Sequence, residues 1–431
     1  MVTICLFHNI YTMQLPGKIS AFVSLNKNIR LYLFSYFIIH FAYTGIYMVL
    51  FNLYLLRLDL SLEFIGTVNS VLFVSFAAMA MPIGIIIKRY KIRNVFIIGA
   101  VITVASWLLT VNAGLFTPGT RETLFILGAI LGGTGAAANV VTSFPLLMTC
   151  RTEQRATAFS FRLVTELLGG FLGSLAGGFL PTIVSSIFHL GPDSAEAYRI
   201  SLFGAMGVMI LSILPLAKIE NIRLAEKLPE DRKNQGSPAA IPWGLVAVLF
   251  AFAFLNATGM SATRTFFNMY LDRRFSLPSK YIGILIASAR LLSMPSALAA
   301  PFFVSKIGQF NTIRIGLAAS TVGILLLAVA STWQLAAIGY IFIVLIGAIS
   351  GPASESFNQG LVKPEHRSVM SGAHTGAFGL GGSAMILSGG FLISSFGFSR
   401  MFMVSMCLKL AALVLFWAYF RRHELASMRA N

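Results

Sequence analysis

The chain has 431 residues, 57% of them hydrophobic and 11% charged, with a mean hydropathy of +0.81 and a formal net charge of +17. Soluble domains carry about 25% charged residues, so this composition excludes an ordinary water-soluble globule. The basic excess fits loops on one side of a bilayer better than a nucleic-acid surface. Apolar runs of about 20 residues, each able to cross ~30 Å of hydrocarbon, recur along the chain and point to spanning helices rather than the short alternating strands of a barrel.

In chain order, residues 1–30 read as a cytoplasmic tail with no ordered signal-peptide pattern, and Met13 is a second candidate start. Twelve helices are predicted, at 31–55, 62–87, 94–114, 122–149, 156–187, 199–217, 242–271, 280–304, 311–331, 333–361, 368–396 and 399–420. The stretch 218–241 is the longest polar break and links two six-helix bundles, 31–217 and 242–420; residues 421–431 form a second tail. Lys and Arg are roughly three times as frequent on the side of the termini and this linker as on the other, which predicts that side to be cytoplasmic. The three cysteines, Cys5, Cys150 and Cys407, have neither metal spacing nor a disulfide framework.

The two bundles are related. FNLYLLR, at 51–57, returns as FNMYLDR at 267–273, and 155–180 aligns without gaps on 367–392, with Gly169, Gly170, Gly177 and Gly178 matching Gly381, Gly382, Gly389 and Gly390. Duplicated halves suit a protein that opens alternately to two sides. Asn52, Tyr54, Asn268 and Tyr270, in the paired FN-x-YL-x-R ends, are expected to pack a gate. The asparagines would bond between helices, and the tyrosines would sit in the aromatic belt at the membrane surface.

Several motifs resemble those of the major facilitator superfamily. GIIIKRYKIR, from Gly84 to Arg93, is similar to the family's G-x-x-x-D-R-x-G-R-[RK] loop. Gly84, Arg89 and Arg93 match, while Lys88 stands at the acidic position; the second copy, 301–310, has Ser305 there. A basic, chiefly structural clamp remains. Gly169, Gly173, Ser174, Gly177 and Gly178 resemble the antiporter motif G-x-x-x-G-P-x-x-G-G, with Ser174 in the proline position. Such glycines either pack helices closely or let a bundle bend. A third motif, Gly133 to Ala137, lacks its preceding Arg, whose place Ala129 takes. The resemblance implies an all-helical membrane fold of twelve helices in two pseudo-symmetric halves.

Ionisable residues at membrane depth are costly and ask for a role. Arg162 and Glu166 are four apart on one helical face, as a buried ion pair or as a proton site whose Arg turns to substrate. His374 is the counterpart of Arg162 in the second half. Glu355, within the polar run SGPASESFNQG, is either a cavity-lining carboxylate or the partner of an arginine. Arg264 and Arg290 offer forks to an anionic substrate or pair with Glu355. His40 is a proton relay or a hydrogen-bonded core histidine. Lys409 falls on the last helix, where snorkelling or a local contact is expected.

The reading is a secondary active transporter working by alternating access, coupled to protons through Glu166 or Glu355, with export favoured by the helix-five glycines. Uptake or uniport of an anionic nutrient is the alternative. The expected partners are a small anionic or amphipathic substrate, protons and the bilayer, without nucleic acid, and the expected working unit is a monomer in the plasma membrane. With no phosphate-binding loop, metal-ligand pair or nucleophile–base set, neither a cofactor nor an enzyme activity is expected. A non-transporting receptor or enzyme is the rival from another class.

Overall fold

The computed structural model describes residues 22, 24–87, 89–150, 152–191, 193–220, 243–361 and 367–430. They form α1 (Lys27–Arg57), α2 (Leu62–Ile86), α3 (Ile92–Ala113), α4 (Thr120–Leu147), α5 (Thr152–Phe188), α6 (Ala195–Leu211, extended by Ile213–Ala217) and α7 (Trp243–Phe275). The segment Ser279–Val329 supplies α8 and α9, Trp333–Gly360 is α10, and Arg367–Ala430 supplies α11 and α12. The end at which α1 begins is called terminal below, and the end at which it finishes at Arg57 is called distal.

Among the described residues, ten helical segments are long and apolar enough to cross a membrane, where twelve helices are expected. The difference lies at two connections. A helix of 51 residues would be about 77 Å long, more than twice the hydrocarbon thickness. Ser279–Val329 instead turns at Gly308 (φ 81°, ψ 161°), and Arg367–Ala430 turns at Gly397 (φ 82°, ψ 168°). That backbone region is essentially open to glycine alone, so a single residue ends α8 at 307 and begins α9 at 309. The same device divides α11 (367–396) from α12 (398–430).

At the distal end, short polar side chains start the helices. Ser61 accepts from the Phe64 amide, Ser194 from Ala197 and Thr332 from Leu335, each occupying a first-turn donor that has no helical partner. Inside the first half, α4 packs on α2 and α3, and α5 packs on α1. In the second half, α7 packs on the α11–α12 segment and α10 on the α8–α9 segment. Two seams join the halves: α2 meets the α11–α12 segment, and α5 meets the α8–α9 segment.

The internal repeat extends to individual bonds. The Tyr54 hydroxyl donates to the Val111 carbonyl on α3 at 2.9 Å, and Tyr270 donates to Leu327 on α9 at 3.0 Å, both across 57 residues of sequence. Both rings are buried. This corrects their expected place in the aromatic belt: each bond stays within its own half, tying α1 to α3 and α7 to α9.

Candidate functional site

At the distal end the halves are sewn together by polar contacts. Asn52 Nδ2 donates to the Thr265 carbonyl at 2.9 Å, and Asn268 Nδ2 donates to the Val49 carbonyl at 3.0 Å. Each asparagine therefore reaches the residue three before its own counterpart. Asn69 on α2, which the sequence did not single out, holds Asn52 by donating to its Oδ1 at 2.9 Å. Outside this pair, Arg57 forks onto Asp272, with Nη1 to Oδ2 at 2.8 Å and Nη2 to Oδ1 at 2.6 Å, and also touches Asp193 at 3.1 Å. Asp272 was legible as a mismatch, because it stands where the first copy of the repeat has Leu56.

Deeper along the seams, Ser70 donates to the Ser383 carbonyl at 3.0 Å, and Arg290 Nη2 to the Thr44 carbonyl at 3.1 Å. Thr44 lies in a π-helical turn of α1, Phe41–Tyr47, a distortion that often marks functional sites. These bonds between the halves lie between the distal end and this level. Arg290 is thus a strut from α8 to α1, not the partner of Glu355. Its guanidinium presses on Gly170, where an added Cβ would collide with it.

The candidate acid and base of the first half meet around Tyr36. Its hydroxyl donates to Glu166 Oε2 at 3.0 Å. The Arg162 guanidinium lies over the Tyr36 ring at 4.9 Å and over Phe144 at 5.2 Å. No ion pair joins Arg162 to Glu166 among the described residues, so the expected local pair is replaced. Four-residue spacing puts both on one face, yet Glu166 turns to a phenol and Arg162 to aromatic faces. His40 packs against Tyr36 at a tilt of 57° with ring centroids 4.3 Å apart, and its Nδ1 is 2.7 Å from Thr44 Oγ1. Tyr36 is one turn before His40, and that spacing was the signal available in the sequence.

The other candidates gather in the second half. A cavity of about 230 Å³ is lined by Arg264 from α7, Glu355 from α10 and His374 from α11. Lys409 on α12 joins them; of its two expected roles, snorkelling gives way to a contact within the protein. Only 3% of it is exposed, and its ammonium donates to Asn256 on α7. Arg264 faces the cavity and, like Glu355, has no ion pair among the described residues. The expected Glu355–arginine pair is therefore absent there. The cavity walls alternate apolar side chains such as Phe252, Leu317 and Phe378 with the hydroxyls of Ser320 and Ser350.

The glycines of the antiporter-like motif serve packing. Gly169, Gly173 and Gly177 lie along α1, and a Cβ on Gly173 would run into the Phe41 carbonyl oxygen and the Gly45 backbone. Gly178 faces Gly283 of α8, with room for no Cβ between them, on the α5–α8 seam. Ser174 returns its hydroxyl to the Gly170 carbonyl at 2.7 Å. Of the loop motif, Gly84 is half-buried near the end of α2, Arg89 is exposed and Arg93 is partly buried; Lys88 lies outside the described residues.

A family model described as Major Facilitator Superfamily matches residues 32–359 and, in an overlapping match, 249–430. The chain is 24% identical over 232 residues to Multidrug resistance protein 2 of Bacillus subtilis (strain 168), a match covering 53% of this chain and 55% of that one. It thus spans about half the length of that curated relative. Among solved structures, the nucleoside transporter NupG superposes with a TM-score of 0.69 at 16% identity, covering 92% of this chain and 99% of that one. A D-xylose-proton symporter gives 0.72 at 15% identity, covering 90% and 96%. At such identities these structures speak for the fold alone.

Proposed function

The chain belongs to the major facilitator superfamily, and from that premise we propose that it moves a small molecule across the plasma membrane by alternating access, with proton coupling at Glu166. The observation carrying this reading is the one-sided seam. The bonds between the halves, from Arg57–Asp272 to Arg290–Thr44, occupy the distal part, while Glu355 at the terminal end is exposed. A molecule of duplicated halves bonded to each other along one end has the form expected of one state of a rocking pair. In this reading the bundles 31–217 and 242–420 move as the two bodies of a monomer. The terminal end faces the cytoplasm, supported by its excess of Lys and Arg.

Glu166 is the favoured coupling carboxylate because it combines a hydrogen bond to Tyr36 with an arginine close by that is not tied to it. A proton on Glu166 removes one negative charge beside Arg162 and leaves the guanidinium to attract an anion. Loss of that proton returns the competing charge. Glu355 is set apart from this cluster and, among the described residues, makes no such hydrogen bond. Export is the direction favoured here, and uptake or uniport of an anionic nutrient is the alternative.

The test uses purified protein in liposomes with an imposed pH gradient and an internal pH-sensitive dye. Ethidium, uridine, xylose and benzoate are offered in turn. At least one is expected to dissipate the gradient. Glu166→Gln should abolish that proton movement while retaining exchange of labelled for unlabelled compound. Full gradient-driven movement by Glu166→Gln would refute the coupling assignment, and exchange without proton movement by the unmodified protein would leave uniport.

A further inference from the structure

The second-half cavity contains more cationic capacity than the protein itself uses. Lys409 has three ammonium donors and, among the described residues, one hydrogen-bond partner, the Asn256 side chain. Arg264 has five donors, and among the described residues none makes a hydrogen bond within the protein, although the guanidinium lines the cavity. A buried ammonium without a counter-charge is costly unless something pairs with it. Glu355 is the acidic residue in the lining, and it stands about 8 Å from the terminal end of α10. Lys409 is about 18 Å into α12 from the break at Gly397, hence near mid-depth. The acid therefore stands toward the entrance, and the cations stand farther in.

The walls narrow the chemistry of the occupant. Asn256, Met260 and Arg264 follow one another at four-residue steps on one face of α7, so Asn256 and Arg264 are about 12 Å apart along the helix. A planar carboxylate matches the arginine fork, and the lysine supplies a point charge from α12. Phe252, Leu317 and Phe378 offer an apolar surface for the rest of the molecule. We propose that this cavity, lined by second-half residues, is a binding site for a compact organic monoanion: a carboxylate on an apolar body, held by Arg264 and Lys409. The site is distinct from the Glu166 cluster, and its occupancy does not require coupling there.

Calorimetric titration of the full chain in lipid nanodiscs, without any gradient, tests it. Benzoate is the probe, benzamide the uncharged isostere and phenylphosphonate the competing anion class. Saturable benzoate binding is expected, with benzamide at least tenfold weaker. Arg264→Gln should weaken benzoate at least tenfold, Lys409→Met likewise, and Lys409→Arg should restore most of the loss. Because Arg264 makes no hydrogen bond within the described protein, its variant keeps the test open should Lys409→Met fail to fold. Equal binding of benzamide, tighter binding of phenylphosphonate, no benzoate binding, or undiminished binding by Arg264→Gln would each overturn the proposal. These outcomes are read without transport, so they leave the alternating-access reading untouched.

Discussion

Replacing Asp272 by Asn should shift the protein toward opening at its distal end. The perturbed contact is two-pronged, at 2.6 and 2.8 Å, with side chains 19% and 10% exposed for Arg57 and Asp272. An exposed ion pair contributes about 0–1 kcal/mol, and breaking a fully buried one costs about 3–5 kcal/mol. This pair lies between those limits, and Asp193 remains as a second, more exposed partner for Arg57. A value of about 2 kcal/mol follows, equivalent to a roughly 30-fold change in the equilibrium. The bond joins the halves only in the state closed at this end, so the loss falls on that state. A distal-open population of about 1% would rise to about one quarter. Spin labels at positions 116 and 333, exposed on the distal side of the two halves, would report the change by pulsed dipolar spectroscopy in a cysteine-free background. A longer-distance population should grow in Asp272→Asn and grow much less in Asp193→Asn. Unchanged distances in Asp272→Asn, or a larger shift in Asp193→Asn, would refute the reasoning.

Two further outcomes concern the scaffold. Gly173→Ala places a methyl group on the α1 backbone at Phe41, and since backbone cannot yield as a side chain can, folded monomer recovered by size-exclusion chromatography should fall sharply. Tyr54→Phe and Tyr270→Phe each remove one buried hydrogen bond to a helix carbonyl. Each should lower stability by about 1 kcal/mol, and thermal unfolding should show the two losses to be alike.

The duplication was open to reading because identical residues perform identical tasks in both copies, as the Tyr54 and Tyr270 bonds illustrate. Long apolar runs likewise reveal spanning helices, since length and composition are the physical requirement. Side-chain direction was less accessible. Spacing puts Arg162 and Glu166 on one face, but the surrounding Tyr36 and Phe144 decide where each side chain turns. Lys409 was legible only in part: a contact with a partner was one of its two expected roles and Asn256 supplies it, but its sequence position reveals neither the face of α12 it occupies nor the cavity it joins. The polar steps from Asn256 to Arg264 on α7 were the available clue. The connection at Gly308 was legible, since the expected helices 280–304 and 311–331 leave a break there; what the sequence did not show is that a single glycine makes the turn.

The crossed bonds of Asn52 and Asn268 carry one more consequence. Each half gives the other what it receives, so this contact has no first or second member. The order in which the halves are joined is then immaterial to it: a chain permuted to begin at the mid-chain linker would make the same two bonds. Two separate copies of one half could also satisfy the pattern, each acting as donor and acceptor. This part of the molecule is a two-chain interface written into one chain.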